Sequence, residues 1–163
     1  MQGFNLRDLP LRARWLLTLV LASYALNHLT SAALVWEVTR HVDSTAKEHF
    51  AFKSLAVLLR MAHQHTFGHG TMYFVTSGIF LFAGLSDRVT LTLITLPFAG
   101  ATIDLASWFL LKYGSAKWEW LSVAGGLMYS AAFAAMFLVS FHQMWWAGRT
   151  DPPKAAGRRG AAG

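Results

Sequence analysis

The sequence predicts an all-α integral membrane protein, a four-helix up-down-up-down bundle. Composition is the first reason. The 163 residues are 55% hydrophobic and only 13% charged, against roughly 25% charged in a soluble domain. Patterning is the second. Four apolar runs, each longer than the roughly 20 residues a bilayer requires, are separated by short polar segments. Seven Trp and twelve Phe suit the aromatic belts of a membrane protein.

The elements follow in order. Residues 1–14 carry Arg7, Arg12 and Arg14, and a first span covers about 15–36. Its apolar run exceeds the 7–15 residues of a secretory h-region, so it reads as an uncleaved span. Residues 37–54 form the one polar loop, in which Phe50 and Phe52 among charges suggest a short interfacial helix. The second span covers about 55–85 and ends at the turn Ser86-Asp87-Arg88. The third covers 89–111, with Pro97 and Gly100 inside it and a kink expected there. The fourth covers 118–146. Together these make a single transmembrane bundle over 1–147, followed by a Gly-, Ala-, Pro- and Arg-rich tail, 148–163, that reads as disordered.

Lys and Arg near span ends set the orientation. One side holds Arg7, Arg12, Arg14, Arg88, Arg149, Lys154, Arg158 and Arg159; the other holds Arg40, Lys47, Lys53, Lys112 and Lys117. The bias places both termini in the cytoplasm and loop 37–54 outside, in a bacterial inner membrane. The net charge of +6 lies largely in the tails, which points to a membrane surface and not to nucleic acid. The absence of cysteine excludes disulfides, iron–sulfur clusters, thiolate metal sites and CxxCH-linked haem.

The stretch Arg60 to His69 holds three of the seven histidines in ten residues. Ionisable residues inside a span are expensive and mark function by default. Counted inward from the outer face at about 1.5 Å per residue, His28, His63, His65 and Asp104 lie at one depth, with Met128 and Tyr129 level with them. His69 lies deeper. His65 and His69 are four residues apart and share a helix face, whereas His63 points away with Arg60.

Three readings follow. A b-type haem takes two imidazoles from facing helices. His28 with His65 or His69 supplies them, Gly68, Gly70, Gly125 and Gly126 leave room, and Arg60, Lys53 or Lys112 meets the propionates. A non-haem metal (copper, zinc or iron) is held by His28, His65, His69 and Asp104. In the third reading the same side chains simply bond one another and hold the bundle together. Asp104 is expected beside a ligating imidazole, fixing its N–H.

The haem reading implies an electron-transfer subunit of a larger membrane redox complex. Its partners are then the lipid bilayer, neighbouring subunits, and an extracytoplasmic cytochrome c or a quinone. A metal-binding accessory or transport protein is the alternative, and a cofactor-free structural subunit the second. No Ser-His-Asp set, phosphate loop or paired-carboxylate site is visible. His142 lies alone near the far end of the fourth span, and His41 and His49 lie in the outer loop.

Overall fold

The computed structural model describes residues 4–40 and 46–148. Every regular element among them is helical. The long helices are α1 (Leu11–Arg40), α3 (Leu55–Phe80), α4 (Asp87–Tyr113) and α5 (Glu119–Trp145), with a short α2 (Ala46–Ala51) in the polar loop. Three-residue 3-10 turns, Leu6–Asp8 and Ala116–Trp118, precede α1 and α5. The expected tail from 149 onward and the loop histidine His41 lie outside the described residues, as do four of the basic residues used to orient the chain.

Three stretches are long and apolar enough to cross a bilayer: Leu11–Glu37, Asp87–Tyr113 and Ala116–Trp145. The expected second span is not among them. α3 has the length, 26 residues, but Arg60, His63, Gln64, His65 and His69 fill its first half and pull its hydropathy down. The protein is therefore an all-helical multi-pass membrane protein, and the four-helix up-down bundle is not confirmed.

α3 also stops at Phe80, short of the expected residue 85. The amides of Phe82 and Ala83 bond to Ile79 and Phe80 carbonyls in a tightened last turn. Gly84 follows at φ +73°, where a Cβ would meet the Asn5 side chain at 2.5 Å. The Leu6 amide donates to the Phe82 carbonyl (2.9 Å), and Leu6 and Leu9 join Leu21, Ile79, Phe80, Ala83, Met136 and Met144 in one apolar cluster. The N-terminal turn thus folds under the end of α3 and buries Ala83, while Leu81, Phe82 and Leu85 stay exposed.

α4 and α5 are the tightest pair. They cross where Gly100 faces Gly125, and a Cβ on either would stand 2.6–2.7 Å from the other's carbonyl oxygen. Two glycines at a crossing let backbones approach as no larger side chain allows. Pro97, one turn earlier, is buried and carried within α4. α2 docks on the far end of α4: the Phe50 and Trp108 rings stack at 5.5 Å, and Lys112 Nζ donates to the carbonyls of Ala51 and Lys53.

α1 is peripheral. Only 6% of its most apolar window is buried. It is held near its start, where Leu21 is buried, the Trp15 ring meets Trp145 edge-on at 5.3 Å, and Trp145 Nε1 donates to Thr18 Oγ1 at 3.0 Å. Exposed threonines of the long helices, Thr66, Thr92 and Thr102, return their hydroxyls to the carbonyl four residues back. Such a bond lets a hydroxyl face lipid without an unmet donor.

A histidine and tyrosine cluster as the candidate functional site

His28 on α1, His69 and Tyr73 on α3, and Tyr129 on α5 gather their rings between three helices. Tyr73 and Tyr129 stand 6.1 Å apart, centroid to centroid. His69 lies 5.5 Å from Tyr73 and 5.2 Å from Tyr129. His28 lies 6.3 Å from Tyr73, 6.0 Å from Tyr129 and 4.3 Å from Phe133. The helical spacing places this set: His69 and Tyr73 are one turn apart on α3, and Tyr129 and Phe133 one turn apart on α5.

His65 lies one turn before His69, the two rings perpendicular at 5.6 Å. It also meets Trp108 edge-on at 4.9 Å. Its Nδ1 stands 2.9 Å from the Met61 carbonyl. A carbonyl only accepts, so Nδ1 carries the proton and Nε2 keeps its lone pair. His65 is itself exposed, as are Arg60, His63 and Gln64.

Asp104 is buried, but its partners are not the expected imidazoles. Oδ1 accepts from Ser122 Oγ at 2.5 Å and from Trp108 Nε1 at 3.3 Å. Trp108 is one turn along the same helix. Ser122 stands across the α4–α5 interface, one turn before the close glycine crossing, where the backbones are near enough for a short hydroxyl to reach. Asp104 therefore ties two helices together.

Several polar atoms in the cluster have no partner. His28 Nε2, His69 Nδ1, the Tyr73 hydroxyl and Thr76 Oγ1 are all buried without a hydrogen bond. An unmet buried polar group costs about 1–3 kcal/mol, so four on two neighbouring helices call for an explanation.

The remaining expected residues scatter. Gly68 and Gly70 border open space, with nothing within 4 Å of a Cβ at either. Arg60 lies five residues from His65 on α3, well round the helix from it. Lys112, a candidate for the propionates, is spent on the carbonyls that end α2. The His142 ring lies 6.1 Å from that of Trp146. His49 sits in α2 against Phe50, where burial and the nearby Lys53 disfavour its protonation. Among the described residues, no three His, Asp or Glu side chains stand together as a metal site. Tyr73, Phe133, Trp108 and Ser122 were not picked out in the sequence as members of the site. The one-turn spacings His69–Tyr73 and Asp104–Trp108 were the signals available.

A family model described as a transmembrane helical domain matches residues 41–151. The chain belongs to the Aq_1264_TM family. The matched segment contains α2 to α5, and so includes His65, His69, Tyr73, Asp104, Ser122 and Tyr129. α1, which contributes His28, lies outside the Aq_1264_TM match. No curated protein and no solved structure matches the chain.

The cluster limits where a haem would go. Each tyrosine stands 5.2–6.3 Å from both histidine rings. With the rings so placed, His28 and His69 would take a haem between them only if the tyrosines moved. His65 and His69, both on α3, cannot face each other across one. His65 has the hydrogen bonding of a ligand imidazole, with Nδ1–H held by a carbonyl and Nε2 left as the acceptor.

Proposed function

We propose that the chain is a membrane-embedded subunit of a larger redox complex, and that His65 is its ligand to a b-type haem at the contact with a neighbouring subunit. One observation carries this reading: the first half of α3 is polar and exposed at once. Arg60, His63, Gln64 and His65 all lie open, beside apolar side chains such as Phe67, 74% exposed. Polar and ionisable side chains turned toward hydrocarbon are costly. A surface of that kind is stable when another protein or a bound group covers it. With Nδ1–H held by the Met61 carbonyl, His65 would offer Nε2 to the iron, and the covering subunit would complete the site. On this reading the haem passes electrons between the quinone pool and an extracytoplasmic partner.

The test is a reduced-minus-oxidised spectrum of the native complex isolated from membranes. A b-type signal is expected. His65→Ala should abolish it while the protein still inserts, and His142→Ala should leave it intact. A complex without haem, or one in which His65→Ala retains the full spectrum, overturns the reading and leaves a structural subunit.

A further inference from the structure

The three unpartnered atoms of the His28–Tyr73–His69 cluster are not used by the haem reading. We propose that His28, Tyr73 and His69 form a binding site for one water molecule, which completes a hydrogen-bonded relay from α1 to α3.

Three observations carry this. The Tyr73 side chain is fully buried (0% exposed), and its hydroxyl has no partner. Both imidazoles that flank its ring, His28 at 6.3 Å and His69 at 5.5 Å, also carry a buried nitrogen with no partner. Finally, α1, which brings His28, is the least packed of the long helices.

The inventory of donors and acceptors fits a single water. A neutral imidazole nitrogen donates or accepts according to tautomer, and a phenol does both. An internal water makes about three hydrogen bonds, and a site needs two to four polar partners to hold one. His28 Nε2, the Tyr73 hydroxyl and His69 Nδ1 are three. The atoms are sealed from solvent, as an internal water site requires. Once in place, the water links N–H, O–H and N groups in a row. A proton taken up at the far nitrogen of one imidazole then leaves from the far nitrogen of the other, and both rings are left in the opposite tautomer until they and the water turn back.

The experiment uses the full chain, 15N-labelled at histidine, in lipid nanodiscs. His28→Gln and His69→Gln assign the resonances. His28 Nε2 and His69 Nδ1 should both resonate away from the position of an unbonded imidazole nitrogen, and both residues should give cross-peaks to a long-lived water. Tyr73→Phe should weaken the cross-peaks and move both histidine signals together. His65→Ala should keep both nitrogens hydrogen-bonded and the water cross-peaks in place, whatever shift the loss of its ring, 5.6 Å from His69, causes there, so loss of the haem reading and loss of this one are separable. An unbonded shift at either nitrogen, absence of the water cross-peak, or histidine signals indifferent to Tyr73→Phe overturns the proposal. If Tyr73→Phe fails to fold, the wild-type shifts and cross-peaks decide alone.

Discussion

The Ser122 hydroxyl donates to Asp104 Oδ1 at 2.5 Å across the α4–α5 interface. A carboxylate buried in a membrane helix needs such a partner, and here it binds helix to helix. Ser122→Ala leaves the Trp108 indole, at 3.3 Å, as the remaining donor. Thermal unfolding in detergent should show a loss of roughly 1–3 kcal/mol, the cost of an unmet buried polar group. Ser130→Ala, at an exposed position of the same helix, should be near neutral. Equal effects of the two would remove Asp104–Ser122 as a stabilising contact.

Gly125→Ala should also destabilise. Its Cβ would stand 2.6 Å from the Gly100 carbonyl oxygen and 2.8 Å from the Asp104 amide, both backbone atoms that do not swing aside. Overpacking of this kind costs typically about 1–3 kcal/mol. Gly126→Ala is the control, since the nearest atom to its Cβ is the Tyr129 hydroxyl at 3.8 Å. The two melting curves should separate clearly, with Gly126→Ala close to wild type.

Thr18→Val keeps the shape of the side chain but removes the acceptor for Trp145 Nε1. Loss of one such bond is worth about 0.5–1.5 kcal/mol. The effect should be local, because α1 touches the rest of the chain mainly here. Amide hydrogen exchange should quicken along α1 and stay unchanged in α4 and α5. Uniform acceleration in all helices would show that α1 unfolds only with the whole.

Topology is open to a direct measurement. A reporter that is active only when exported, fused after Gly163, should stay inactive if the Lys and Arg bias sets the orientation. The same reporter placed in the Gly114–Ser115 turn should be active. The opposite pattern would invert the assignment of inner and outer faces.

The sequence by itself determined the class. Composition and four long apolar runs lead to a multi-pass helical membrane protein, because a chain this poor in charge can satisfy its backbone in lipid only as helices or a closed barrel. The runs also located the long helices to within a few residues at most ends. The exception, the end of α3, depended on a contact between Leu6 and Phe82, seventy-six positions apart, that no local pattern contains. Depth counting brought His28, His65 and Asp104 to one level but could not say which way each faces, since level is set by rise per residue and facing by how helices pack. Tertiary structure decided the facing. The close crossing at Gly100 and Gly125 turned Asp104 to Ser122 instead of an imidazole, and the tyrosines at 73 and 129 took the space between His28 and His69. His65 was left exposed on α3, its Nδ1 bonded back to the Met61 carbonyl.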